Sequence, residues 1–190
     1  MQFSPRHASL VLLALVLAGR IVLAAGVSPE RAVVASAHPL ASQAGVEILA
    51  SGGNAFDAAV AISAALGVVE PSGSGLGGGG LFLLHREADG LSVMIDGREV
   101  APAAAVADMY LDANGEPMPR ASRDGPQAAG IPGLPAALVH LAERYGRLPL
   151  EESLQPAIRY ARDGYRLHAS LANGLARRGR SMNPAAQAVF

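Results

Sequence analysis

The alternation of apolar and polar positions predicts a chain made mostly of helices, with one β-hairpin. Proline, glycine or asparagine marks most of the predicted helix ends. Helices are predicted from Pro39 to Ala50, from Ala55 to Val69, from about Gly133 to Tyr145, from Pro149 to near Gly164, from about His168 to Arg178, and from Pro184 onward. Strands are predicted at Ala32–Ala35, Leu81–Leu84 and Leu91–Ile95, the last two joined by the turn residues Glu87–Gly90.

The segment between the second helix and the hairpin is rich in glycine. Gly75, Gly77 and Gly80 match the dinucleotide-binding spacing G-x-G-x-x-G. A phosphate-binding loop leads from a strand into a helix, because the N–H groups at the helix start face the phosphate. Here a predicted helix precedes the loop and a predicted strand follows it, and the chain has no lysine for a P-loop. The four consecutive glycines, Gly77 to Gly80, therefore indicate close approach of another backbone segment, or positive φ, rather than a nucleotide site.

Composition excludes several kinds of chemistry. The chain has 190 residues and a formal net charge of −1, so nothing indicates a nucleic-acid partner. Cysteine is absent, which excludes disulfides and thiol catalysis within this chain, and the 15 lysine-plus-arginine residues are all arginine. The five histidines are scattered without a helical i, i+4 pair, so we predict neither a metal site nor a cofactor.

The N-terminal segment has the features of an export signal. Arg6-His7 precedes an apolar run from Leu10 to Ala18. Arg20 interrupts the apolar stretch, which leaves it too short for a spanning helix of about 20 apolar residues. We expect residues 1–25 to be a cleaved signal peptide and the protein to be periplasmic or secreted.

Arg98 is the most informative single residue. It follows the second strand of the hairpin and lies between Asp96 and Glu99. A guanidinium can hold a carboxylate through two parallel hydrogen bonds, which provide both orientation and charge complementarity. The spacing alone leaves two interpretations open: a site for a substrate carboxylate, or a structural ion pair with Asp96 or Glu99. His38, just before Pro39, is interpreted as a helix-start residue rather than a catalytic base.

Five stretches follow one another in order from about Val33 to the end of the chain. They are VASAHPLASQAGVEILASGGNAFDAAVAISAALGVVEPSGSGLGGGGLFLL, DGREVAPAAA, GIPGLPAALVHLAERYGRLP, LQPAIRYARDGY and NPAAQAVF. Together they resemble the gamma-glutamyltransferase (gamma-glutamyltranspeptidase) family, although Ser72-Gly73 stands where that family usually has two bulkier polar residues. The resemblance implies that residues 26–190 are the N-terminal portion of the large subunit. It also implies an α+β fold, part of an N-terminal-nucleophile hydrolase αββα sandwich that is incomplete in this chain.

The resemblance further implies an enzyme that moves a gamma-glutamyl group from glutathione or a similar donor to water, an amino acid or a peptide. Its precursor cleaves itself, and a threonine at the new N-terminus of the small subunit is the nucleophile. In that family the arginine of the D-x-R-E motif binds the α-carboxylate of the glutamyl group. Arg98 matches this arginine, and Glu99 matches the acidic neighbour that supports it. Because this chain contains no threonine, we expect it to be inactive alone.

Two alternatives remain from the sequence. Related amidohydrolases, such as cephalosporin acylases or poly-gamma-glutamate processing enzymes, share the scaffold, and a fold does not decide a substrate. The other alternative is a non-catalytic scaffold fragment.

Overall fold

The computed structural model describes residues 32–179 and 182–188. The chain divides into two units, residues 1–33 and 34–190, and every element named below belongs to the second. The predicted signal peptide, residues 1–25, lies outside the described residues. No helix within the described residues is long and apolar enough to cross a membrane.

The described part of the chain is built from helices and one hairpin. In chain order the elements are α1 (Pro39–Ala50), α2 (Ala55–Val69), β1 (Gly80–Arg86), β2 (Leu91–Gly97), a 3-10 helix (Pro126–Ala128), α3 (Leu134–Tyr145), α4 (Leu150–Asp163), α5 (Ala169–Gly179) and α6 (Pro184–Gln187). These bounds confirm the predicted helices and the hairpin to within a few residues.

The predicted strand at Ala32–Ala35 is wrong. These residues adopt no regular secondary structure, and no described strand pairs with them. A strand needs a neighbour that satisfies its backbone N–H and C=O groups, so apolar β-branched composition alone is not sufficient.

Helix α2 is the centre of the helical layer and packs against α1, α3 and α4. Its buried apolar residues are small and recur along one side: Ala58, Val60, Ala61, Ala64, Ala65 and Val69. The contact with α1 is close, since a Cβ added at Gly45 would lie 2.7 Å from Cδ1 of Ile62 and would require that side chain to shift. Short side chains therefore let the helices pack closely, and the fully buried residues of the core include no aromatic side chain among the described residues.

The start of α2 is held by a buried carboxylate. Asn54 Oδ1 accepts the N–H groups of Phe56 and Asp57 at 2.8 and 3.1 Å, and Asp57 Oδ2 accepts the N–H of Asn54 at 2.8 Å. This reciprocal pair is a capping box. Asp57 is 0% exposed, and it also accepts the backbone N–H groups of Arg147 at 3.0 Å and Leu148 at 3.4 Å. The Asp57 side chain thus accepts backbone N–H groups both at the start of α2 and in the turn between α3 and α4.

The hairpin turns one face toward the helices. Its strands pair antiparallel, with Leu83 opposite Met94. The inner face packs on the helical core through Phe82, Leu84, Val93 and Ile95. The outer face exposes Leu81, Leu83 and Met94 at 60%, 77% and 56%. Since successive side chains of a strand alternate between faces, this hairpin is apolar on both.

We expect Asp57→Ala to lower the free energy of unfolding by at least about 3 kcal/mol, because a hydrogen bond to a charged acceptor contributes about 1.5–3 kcal/mol and several are lost. Asp89→Ala is the matched control, since Asp89 pairs with Arg86 at the surface and should leave stability nearly unchanged. Denaturant unfolding of the complete protein, followed by circular dichroism, measures both. Equal losses for the two variants would contradict this role of Asp57.

Candidate functional site

The two predicted site residues, Arg98 and Glu99, lie directly after β2. The backbone N–H of Arg98 donates to Asp96 Oδ1 at 3.0 Å, an arrangement typical of a chain leaving a strand in a turn. Arg98 Nε lies 3.1 Å from Glu99 Oε2. The Arg98 side chain is nevertheless 64% exposed, whereas that of Glu99 is 33% exposed. A structural ion pair and an accessible guanidinium therefore coexist at this position.

The glycine segment passes against the backbone of Arg98. A Cβ added at Gly79 would lie 2.6 Å from Gly97 O and 2.7 Å from Arg98 Cα. Strand β1 begins at the next residue, Gly80. The predicted close backbone approach is confirmed at Gly79 but not at Gly77, where a Cβ would meet nothing within 4 Å. The prediction that the segment leads into a strand is confirmed. A strand start lacks the free N–H groups and dipole with which a helix start binds phosphate.

A second segment, just before α3, reaches the same place. Val100 and Ile131 exchange backbone hydrogen bonds of 3.2 and 2.8 Å. The N–H of Leu134, the first residue of α3, donates to Gly78 O at 3.1 Å. The start of α3, the glycine segment and the residues after β2 thus form one hydrogen-bonded unit. Sequence reasoning missed this unit, because no local signal joins residues 31 positions apart, as in Val100–Ile131, or 56 apart, as in Gly78–Leu134.

The residues just before the glycine segment contact the side chain of Glu70. Ser74 Oγ donates to Glu70 Oε2 at 2.9 Å. A Cβ added at Gly73 would lie 2.8 Å from Glu70 Oε1. The carboxylate is the far end of a flexible side chain, so a larger residue at position 73 would require Glu70 to move.

A second group of polar residues surrounds the start of α1. His38 Nδ1 accepts the N–H of Leu40 at 3.1 Å, so the interpretation of His38 as a helix-start residue is confirmed. Its ring centroid lies 4.3 Å from that of His168. Burial, and secondarily the nearness of His168, hold the pKa of His38 below its usual value, while Glu70 acts in the opposite direction. The pairing of two histidines 130 positions apart had no sequence signal.

The His38 and His168 rings line two cavities, of about 460 and 640 Å³, and neither Arg98 nor Glu99 lines them. His38 Nδ1 accepts a hydrogen bond, so the neutral ring carries its proton on Nε2 and cannot offer a metal a lone pair there. Within residues 32–179 and 182–188 no group of three or more His, Cys, Asp or Glu side chains is arranged to hold a metal ion. His38 is therefore assigned to the fold and not to the chemistry.

Comparison with known proteins decides the family. The family model described as gamma-glutamyltranspeptidase matches residues 41–190. The chain belongs to the gamma-glutamyltranspeptidase family. It is 43% identical over 158 residues to the glutathione hydrolase proenzyme of Escherichia coli K12, covering 83% of this chain and 27% of that protein. It is 44% identical over 150 residues to the acylase ACY 1 proenzyme of Pseudomonas sp. V22, covering 76% of this chain and 27% of that protein.

Solved gamma-glutamyltranspeptidases share the fold described above. The Helicobacter pylori gamma-glutamyltranspeptidase superposes with a TM-score of 0.75 at 42% identity, covering 78% of this chain and 42% of that one. This confirms the predicted fold class, an α+β arrangement that is part of the N-terminal-nucleophile hydrolase sandwich. The chain spans about a quarter of the length of the curated relatives it matches.

We expect the stability of the folded protein to depend on pH through His38, whose ring caps the start of α1. Because the folded-state pKa of His38 is lowered, the contribution of His38 to the free energy of unfolding is complete above its unfolded pKa of about 6.5. That contribution declines as the pH falls from there to the folded-state pKa. His38→Asn keeps a capping side chain but cannot titrate, so it should lose less stability between pH 7 and pH 5 than the parent protein.

His140→Gln is the matched control, because His140 is an exposed residue of α3. It should retain the parent pH dependence in thermal melts of the complete protein. If His38→Asn and His140→Gln melt with the same pH profile, His38 is not the group responsible.

Proposed function

We propose that the complete protein is an exported gamma-glutamyltransferase or glutathione hydrolase, and that residues 26–190 form the N-terminal portion of its large subunit. The observation that carries the proposal is the exposed guanidinium of Arg98, braced by Glu99 at the end of β2, in a D-G-R-E sequence that matches the family motif. The names of the relatives, glutathione hydrolase proenzyme among them, support glutathione as a donor and a precursor as the initial product.

In this proposal Arg98 binds the α-carboxylate of the gamma-glutamyl donor. Glu99 engages the Nε edge of the guanidinium at 3.1 Å, which restricts its rotation and leaves accessible side-chain surface to receive the carboxylate. A planar guanidinium can form two parallel hydrogen bonds to a carboxylate, so it orients the donor as well as attracting it. Holding one end of the donor places its distant amide in a defined position for attack.

The attacking group is assigned to another part of the protein. This chain has no threonine, and the family resemblance implies a threonine nucleophile at the N-terminus of the small subunit, activated by its own amine. Water, an amino acid or a peptide then takes the gamma-glutamyl group. Residues 1–25, with their basic start and apolar run, are proposed to direct export to the periplasm or the medium.

An amidohydrolase of the acylase type is the second candidate. It is favoured by the 44% identity to the acylase ACY 1 proenzyme, which is as high as the identity to the glutathione hydrolases. A direct comparison of kcat/KM for a gamma-glutamyl anilide and for a cephalosporin amide separates the two candidates. Higher kcat/KM for the cephalosporin amide would replace the first proposal by the second.

In the complete, self-cleaved protein we expect Arg98→Ala to lower kcat/KM for a gamma-glutamyl donor roughly 30- to 1000-fold, because a charge-assisted contact to the bound carboxylate is lost. Arg98→Lys should recover only part of that loss, since an ammonium provides charge but not the planar fork. Arg86→Ala is a matched control, because Arg86 lies on the same hairpin and pairs with Asp89 away from the site. Steady-state kinetics measure the three variants, and unchanged kcat/KM in Arg98→Ala beside a lowered Tm would leave only the structural ion pair.

We also expect residues 26–190, purified without the rest of the protein, to release no product from a gamma-glutamyl anilide above background, because they contain no threonine nucleophile. The complete protein at the same concentration is the positive control. Turnover that persists through purification and disappears in Arg98→Ala would contradict the assignment of the nucleophile to another part of the protein.

A further inference from the structure

The backbone of Arg98 is enclosed by two glycines from different segments. A Cβ added at Gly133, the residue before α3, would lie 2.3 Å from Arg98 O and 2.4 Å from Gly97 O. A Cβ added at Gly79 would lie 2.7 Å from Arg98 Cα and 2.8 Å from Glu99 N. Real Cβ atoms essentially never approach other atoms within 3.0 Å. The neighbours are backbone atoms, which cannot rotate aside as a flexible side chain does.

Backbone conformation does not explain why glycine stands at these positions. Gly133 has φ −98° and ψ −22°, angles that other residues adopt. Gly79 is not among the glycines with positive φ. The lack of space against the Arg98 backbone is therefore what requires glycine at these positions. A single added methyl group would clash with that backbone.

Two further glycines contact Glu99 less tightly. A Cβ added at Gly78 would lie 3.3 Å from Glu99 Oε1, and one added at Gly130 would lie 3.1 Å from Glu99 Cβ. At these distances the neighbour has to move by only a few tenths of an ångström. The enclosure thus extends from the Arg98 backbone to the carboxylate that braces its side chain.

We propose that Gly79 and Gly133 are positioning residues, which fix the Arg98 backbone so that its guanidinium meets the α-carboxylate of the gamma-glutamyl donor. This inference rests on the proposed function of Arg98. The Arg98 side chain is 64% exposed, so side-chain packing alone holds it weakly and the backbone decides where the guanidinium lies. A displacement of about 1 Å at a group that orients a substrate can reduce the rate about 100-fold.

The test uses the complete, self-cleaved protein carrying Gly79→Ala or Gly133→Ala. Gly75→Ala and Gly77→Ala are matched controls from the same glycine segment, because a Cβ at either position would meet nothing within 4 Å. Each variant is assayed with a gamma-glutamyl anilide and with the gamma-aminobutyryl anilide, which has the same amide but lacks the α-carboxylate. Each is also combined with Arg98→Ala.

We expect Gly79→Ala and Gly133→Ala to lower kcat/KM for the gamma-glutamyl anilide about 10- to 100-fold, with little change for the gamma-aminobutyryl anilide. In the Arg98→Ala background either substitution should add almost nothing, because the group that it displaces is already absent. The two control variants should match the parent protein with both donors.

Equal losses with both donors, or losses that add fully to that of Arg98→Ala, would show a general structural effect and overturn the inference. A large loss in Arg98→Ala with none in the glycine variants would also overturn it while leaving the proposed function intact. No loss in Arg98→Ala would instead refute the proposed function itself.

Gly78→Ala and Gly130→Ala keep the inference testable if the two tighter variants do not mature. Their smaller crowding of Glu99 should permit folding and still reduce kcat/KM selectively for the gamma-glutamyl anilide. Parent-like ratios of kcat/KM for the two donors in both milder variants would then overturn the positioning role.

Discussion

The buried carboxylate of Asp57 is the interaction on which the rest of this structure depends. It closes the capping box at the start of α2 and accepts backbone N–H groups from the turn between α3 and α4. Gly146 makes this approach possible, because a Cβ there would lie 2.4 Å from Asp57 Oδ1. The carboxylate thus sets α3 relative to the central helix. Since the residue before α3 is Gly133, the same constraint extends to the backbone around Arg98.

Small residues allow close approach of neighbouring elements both in the core and at the site. Gly45 lets α1 approach α2, and Gly97 lets β2 approach α3, where a Cβ would lie 2.6 Å from that of Ala137. Close contact between backbones gains dispersion energy without the entropy cost of ordering long side chains. An alanine- and glycine-rich composition therefore produces a closely packed layer, even though aromatic residues make up only 4% of the chain.

In the proposed function, substrate orientation and bond breaking belong to different parts of the protein. The group assigned to hold the donor, Arg98, belongs to a hairpin and helix unit that is ordered by its own contacts. In the proposed function the nucleophile comes from the small subunit, so this chain supplies the carboxylate site and not the attacking group. An oriented binding site of this kind requires little rearrangement when the substrate arrives, which is the physical advantage of preorganisation.

Local signals in the sequence were sufficient to predict the helices, the hairpin and the fact that the glycine segment leads from a helix into a strand. Asn54 at a helix start, glycine after a helix end and the turn between two apolar runs act over a few residues, so they are visible without a structure. The motif around Arg98 and Glu99 was visible in the same way, together with the resemblance to the family. These features depend on neighbours in the chain.

Only the tertiary structure decided which distant segments meet. Asp57 lies in the first turn of α2, but its hydrogen bond from the N–H of Arg147 joins positions 90 apart. Ala32–Ala35 has the composition of a strand and is not one among the described residues, because no described strand pairs with it. The close packing of Gly133 against the Arg98 backbone likewise depends on where α3 lies. Contacts of this kind are set by the packing of whole elements, so they cannot be predicted from local sequence patterns.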